Sequence, residues 1–136
     1  METTYFYLAA SGLLTVLMWT PYILSRIFVW GLPTFLNNYP TNFPAEEPVP
    51  PLWAQRAKRA HLNTVETLAA FIAVVLAASV IAPESAHESI GQWASVFFLA
   101  RVAYAVVYIA GVPFLRTPTY LVSWVAILMI GFQSIS

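Results

Sequence analysis

Four long apolar runs, separated by proline and polar residues, organise this chain: Thr3 to about Trp30, Leu52 to Ala82, about Ser89 to Val112, and Pro118 to about Gln133. A helix needs roughly 20 apolar residues to cross a bilayer core of about 30 Å, and the runs are of about that length or longer. The breaks fall where backbone chemistry puts them. Pro83 closes the second run, Gly111 and Pro113 close the third, and Pro118 suits the first turn of the fourth, where its missing N–H leaves no bond unmade. Pro21 lies inside the first run and is expected to kink it and open a crevice. Between Leu32 and Pro51 stand Pro33, Pro40, Pro44, Pro48, Pro50 and Pro51 with Asn37, Asn38, Glu46 and Glu47, so this segment is expected to form neither helix nor sheet interior but a long, stiff, solvent-facing loop. The start, Met1-Glu2-Thr3-Thr4, lacks the positive n-region of a cleaved signal peptide, and the run behind it is too long for an h-region. The pattern predicts an all-α integral membrane four-helix bundle, a single domain over residues 1–136 with helices at about 3–30, 52–82, 89–112 and 118–133.

Composition agrees with that plan. The chain is 136 residues long, 60% hydrophobic and 9% charged, with a mean hydropathy of +0.72. An ordinary soluble domain is roughly 45–50% apolar and about 25% charged, and a chain this short with so few charges cannot keep its surface in water. Six Lys+Arg balance six Asp+Glu, which excludes a globally basic nucleic-acid binder. The absence of cysteine excludes disulfide frameworks, thiolate metal sites and a cysteine nucleophile. The cations also orient the bundle. Arg26, Arg56, Lys58 and Arg59 flank the first loop and Arg116 lies in the third, whereas the amino terminus, the Pro83–Glu88 connection and the tail from Gln133 carry none. Short cytoplasmic loops are enriched in Lys and Arg, so loops one and three are expected in the cytosol and both termini on the opposite side.

Most of the charges sit at helix ends, where snorkelling or solvation accounts for them; Glu2, Glu46, Glu47, Glu84 and Glu88 are of that kind. Two places resist that account. At the start of the second helix, Arg56, Arg59, Asn63 and Glu66 fall within an arc of about 80°, with Lys58 and His61 pointing away from it. Glu66, about 14 residues in from Leu52, is too deep to reach water by stretching and reads as a buried carboxylate. Midway along the third helix, Arg101 shares a face with Tyr104 and Tyr108. An Arg at the bilayer centre costs about 2.5–3.5 kcal/mol on insertion scales, so it must face the bundle interior in anionic company. A structural Arg101–Glu66 ion pair knitting helices two and three is one reading. The other is a ligand site: counting Arg56, Arg59 and Arg101, with Arg26 and Arg116 nearby, against Glu66 leaves surplus positive charge, and guanidinium forks suit carboxylates. Asn63 and Glu66 add partners for amide and ammonium groups, so a small zwitterionic peptide with an extra carboxylate fits.

The spacings Arg56-x-x-Arg59-Ala60-His61-x-Asn63-x-x-Glu66 and Arg101-x-x-Tyr104-x-x-x-Tyr108 resemble those of the MAPEG family, the membrane-associated proteins in eicosanoid and glutathione metabolism, and in particular its microsomal glutathione transferase-like members. The resemblance implies a homotrimer that binds glutathione between adjacent subunits near the cytosolic side. It implies that Arg59, Asn63, Glu66, Tyr104 and Tyr108 contact glutathione, that Arg101 lies deep in the same cluster, and that Arg26 comes from the neighbouring subunit. It implies that Arg116, the candidate catalytic residue, steadies the glutathione thiolate for attack on a lipophilic electrophile arriving through the bilayer lipids. Glutathione would be the co-substrate; a metal is not expected. Leu62 and Thr64 depart from some relatives, which carry Arg and Asp there. The family also contains non-catalytic members, so the alternative is a membrane scaffold or lipid-binding subunit of the same fold. A small-solute carrier is disfavoured, because four helices without repeated halves lack the usual carrier plan.

Other residues have structural readings. His61 lies off the polar stripe and His87 in a loop, so they read as orienting or capping residues and not as haem ligands. Trp19, Trp30, Trp53, Trp93 and Trp124 suit interface anchors, and Ala69, Ala70, Ala73, Ala77 and Ala78 permit close helix packing.

Overall fold

A computed structural model describes residues 1–37 and 48–135 of the chain. Its elements are α1 (Glu2–Leu17), α2 (Thr20–Trp30), α3 (Leu32–Leu36), α4 (Leu52–Ile81), a 3₁₀ turn (Glu84–Ala86), α5 (His87–Ala110) and α6 (Arg116–Ile135), with no strand among the described residues. Four apolar stretches are long enough to cross a membrane: Glu2–Trp30, Leu52–Ile81, Glu84–Ala110 and Arg116–Ile135.

The first stretch is two helices where one was expected. Pro21 has no N–H for the Leu17 carbonyl and its ring crowds that turn, so the regular ladder stops at Met18. Trp19 N–H turns back to the Val16 carbonyl at 3.3 Å, and α2 restarts with Pro21 in its first turn. The proline-rich segment also departs from expectation at its start. Gly31, at φ 77°, releases the chain from α2, and Leu32–Leu36 winds one short helix with Pro33 in its first turn, where proline is tolerated. Of the remaining expected loop, residues 38–47 lie outside the described residues and 48–51 carry no regular secondary structure. The third helix begins earlier than expected, so His87 is its first residue and not a loop residue.

Helix α5 is the hub of the bundle, packing on α1, α4 and α6, while α2 packs on α4. Its buried line runs Ile90, Ala94, Phe97, Arg101 and Tyr104, the three-and-four spacing of one helical face. The core in one half of the bundle is built on Phe71 of α4 and Phe97 of α5, whose rings stack at 3.9 Å between centroids and 12° between planes. Val75, Ala78, Ala126, Ile127 and Ile130 close around them. Helix α5 ends in a Schellman motif: Val112 N–H bonds the Val107 carbonyl at 3.0 Å, Gly111 N–H bonds that of Tyr108 at 3.1 Å, and Gly111 takes φ 75°. A tight turn at Phe114, φ 64°, with Leu115 N–H on the Pro113 carbonyl at 2.8 Å, then delivers the chain to Arg116.

Candidate functional site

On α4, the buried residues Ala57, Ala60, Thr64, Thr67, Phe71 and Val75 form the core stripe. The polar stripe is centred about 100° around the helix from it. Position within that stripe therefore decides burial. Arg56 and Asn63, at its core-side edge, are half-buried, whereas Arg59 and Glu66, at the far edge, are exposed on the outside of the single chain. Glu66 is thus not the buried carboxylate it was expected to be.

Arg101 is fully buried, as its place on the core face of α5 requires. Its Nη2 donates to Asn63 Oδ1 at 3.1 Å and to Thr64 Oγ1 at 2.6 Å. The Thr64 hydroxyl can accept because its own proton goes to the Ala60 carbonyl at 2.9 Å. The guanidinium carbon lies 4.3 Å from the Tyr104 ring centroid and 5.9 Å from that of Tyr120 on α6, so aromatic faces supply part of its counter-charge. The Arg101–Glu66 pair, one of the two readings of the sequence, does not form within the chain: the hydrogen bonds of Arg101 go to neutral groups. Its Nε and Nη1 are buried and carry no hydrogen bond. A buried cation held only by neutral and aromatic partners is electrostatically incomplete.

The aromatic line continues along α5. Tyr104 and Tyr108 sit 5.5 Å apart between centroids, Tyr120 lies 6.2 Å from Tyr104, and Arg116 stands over Tyr108 at 4.7 Å. Arg116, expected in a loop, is the first residue of α6. It lines a cleft of about 480 Å³ with Tyr108, Arg56 and the turn from Gly111 to Thr117. Arg56 reaches this cleft because Gly111 has no side chain: a Cβ there would strike its guanidinium.

The remaining candidates lie elsewhere. Arg26 and Arg59 line a second cleft of about 450 Å³ between α2 and α4 of the same chain; no contact in a single chain assigns Arg26 to a neighbouring copy. The predicted set therefore divides into a deep cluster (Asn63, Arg101, Tyr104), a cleft at the α5–α6 turn (Tyr108, Arg116), a cleft at α2 (Arg26, Arg59) and an outward carboxylate (Glu66). His61 is held by α1: its Nδ1 donates to the Thr15 carbonyl at 3.0 Å. Among the described residues no group of His, Asp and Glu is placed to hold a metal ion.

Two contributors escaped the sequence reading. Thr64 is one residue past Asn63 and so about 100° off the polar stripe; only the position of Arg101 on the facing helix reveals its role. Tyr120 follows Arg116 by four residues, a spacing that puts both on one face of the fourth helix once that helix is known to begin at Arg116.

Four apolar crossings, with most charge at helix ends, one buried polar seam and the outward Glu66, define an integral multi-pass membrane protein of the four-helix class. The family model of the MAPEG family matches residues 3–136, essentially the whole chain, and the chain belongs to that family. No curated protein and no solved structure matches it.

Proposed function

We propose that this protein is a membrane-bound, glutathione-dependent transferase or peroxidase. The observation that carries this reading is Arg101, fully buried, bonded only to Asn63 and Thr64, with two N–H groups unmatched. Arg116 continues the positive charge along the same tyrosine-bearing face. Such a seam favours an anionic ligand, and guanidinium forks bind carboxylates through both oxygens at once. Glutathione brings carboxylates, an ammonium, amides and a thiol. In this reading Arg59, Asn63, Tyr104 and Tyr108 hold the peptide, Glu66 and Arg26 complete the set, and Arg116 stands against the sulfur. A cation at that position favours the thiolate, which is the nucleophile; the thiol proton leaves to water, and the sulfur bonds to the electrophilic centre of a lipophilic substrate as the bond broken there gives its electron pair to the leaving group, or to a neighbouring atom that takes a proton from water.

The exposed Glu66 and Arg59 extend the reading to a homotrimer. A charge facing hydrocarbon costs about 2.5–3.5 kcal/mol, so a neighbouring copy is expected to cover this face, with glutathione between copies and the cation-bearing helix ends on the cytosolic side.

The test is calorimetric titration of reduced glutathione into the purified protein. Saturable binding that Arg101→Ala removes supports the reading. No binding by a folded sample overturns it in favour of a non-catalytic scaffold or lipid-binding subunit, a reading favoured by one observation: Arg101 already joins α5 to α4 through Thr64. On that reading glutathione leaves the melting temperature unchanged.

A further inference from the structure

The turn between α5 and α6 holds its central residue against the preference of its backbone. Phe114, at φ 64°, is the one non-glycine residue with a positive φ among the described residues. Leu115 N–H bonds back to the Pro113 carbonyl at 2.8 Å across it, so three residues close a γ-turn with phenylalanine at its centre, a rare and strained form. A side chain with a Cβ avoids this conformation, and a bulky one avoids it most. Glycine or asparagine would hold the same turn more easily. The sequence places a large apolar ring there instead, and the fold does not bury it. Phe114 is 93% exposed, more than any other large apolar side chain among the described residues, and it joins neither core cluster. Strain kept at a residue that gains nothing from packing points to use by a ligand.

The position of the ring says which ligand. Phe114 lines the cleft of about 480 Å³ that also holds Tyr108 and Arg116. In the glutathione reading, on which this inference rests, Arg116 stands against the sulfur. The group to which the sulfur bonds must then lie in the same cleft. Its apolar walls are Val112, Pro113 and Phe114, and of these only Phe114 offers an aromatic face. The cleft lies where the crossing Glu84–Ala110 ends and the crossing Arg116–Ile135 begins, so a lipophilic molecule leaving the hydrocarbon meets the turn as it reaches the sulfur. We propose that Phe114 is a specificity-determining residue: its ring receives the electrophilic substrate and selects one whose reacting carbon belongs to, or adjoins, a flat aromatic ring. A ring pair is favoured beyond the area it buries, whereas an aliphatic group gains the burial alone. Anchoring in the bilayer is the competing use of an exposed ring, and it requires neither the positive φ nor a place on the cleft wall.

The test is calorimetric binding of glutathione, its S-dinitrophenyl conjugate and its S-ethyl conjugate to the full chain in lipid nanodiscs, with melting temperatures measured in parallel. The two conjugates share the peptide and differ in the group on sulfur. The unsubstituted protein is expected to bind the dinitrophenyl conjugate about two- to tenfold more tightly than the ethyl conjugate, the span of one aromatic pair. Phe114→Gly is expected to abolish that preference and Phe114→Tyr to keep it, both with glutathione affinity unchanged. Phe114→Gly should also raise the melting temperature, since glycine takes this φ freely and the ring it removes is uncovered; a purely structural ring would give the opposite sign. A preference that survives Phe114→Gly, or none in the unsubstituted protein, overturns the proposal and leaves the glutathione reading in place. A melting temperature lowered by Phe114→Gly with the preference intact makes the ring a bilayer anchor and overturns it likewise. Failure of glutathione itself to bind overturns the glutathione reading, and this inference with it.

Discussion

Thr64 Oγ1 receives Arg101 Nη2 at 2.6 Å across the α4–α5 interface, and this contact ties a buried charge to a neutral hydroxyl. A hydroxyl satisfies geometry without cancelling charge. The interior of the bundle therefore keeps a net positive spot beside Asn63 and Tyr104.

Replacing Thr64 with Val is expected to destabilise the protein by about 1–3 kcal/mol, because it leaves a buried donor to a charged group with Asn63 alone. Thr64→Asp is expected to do the reverse, raising the melting temperature of the unoccupied protein by supplying the missing counter-charge. The same change should weaken glutathione about tenfold or more, equivalent to some 1.4 kcal/mol of lost attraction. Melting curves and titration of the two variants check both halves; an Asp variant that binds glutathione unchanged separates Arg101 from the ligand.

Gly111→Ala combines two penalties. The left-handed backbone at φ 75° costs a residue with a Cβ about 1–2 kcal/mol, and the Arg56 guanidinium occupies the space the Cβ needs. Arg56→Ala in the same chain should remove the second penalty and leave the first. A double-mutant cycle in thermal stability is expected to show a coupling of about 0.5–3 kcal/mol, the range for residues in contact.

Phe97→Ala removes one ring of the stacked pair in the core and is expected to cost about 3–5 kcal/mol. Phe97→Leu, which keeps much of the volume, should cost markedly less. Since neither touches the tyrosine-lined cleft, glutathione affinity measured below the melting transition should be unaffected in both.

Arg116→Ala is expected to abolish the ultraviolet absorbance of bound glutathione thiolate while reducing binding of the peptide less severely. Arg116→Lys, which keeps a positive charge but loses the planar face over Tyr108, should retain part of the signal. Thiolate formation that survives Arg116→Ala would remove this residue from the sulfur.

The four crossings were legible because about 20 apolar residues per bilayer is a coarse and forgiving ruler. Arg101 was legible as an interior residue because an Arg at the bilayer centre is costly to leave against hydrocarbon. Pro21 signalled a bend, but whether it kinks or divides the helix depends on the loss of the bond to the Leu17 carbonyl, which becomes visible only in the backbone. The direction of the polar stripe on α4 was not legible. Helical periodicity groups Arg56, Arg59, Asn63 and Glu66 on one side of that helix, yet which edge meets α5 is set by the packing of Thr64, Phe71 and Val75. That choice turned Glu66 outward and made a threonine, not a carboxylate, the partner of Arg101. Lys58 likewise carries no internal sign that it would meet Tyr22, since the two are brought together by the fold of α2 onto α4.

The interruption between Leu17 and Thr20 gives the first membrane crossing a joint. Helix α1, at 16 residues, extends about 24 Å, less than the bilayer core, so neither piece crosses alone. The two pieces pack differently: α1 lies mainly along α5 and also against α4, whereas α2 packs on α4 and on the short α3. The wall that carries Tyr22, Arg26 and Trp30 is thus joined to α1 through the turn at Met18 and Trp19, and the Phe71–Phe97 stack belongs to other helices. The outline of the crossing at the headgroup level is thereby set by a different piece of chain from its packing at the bilayer centre.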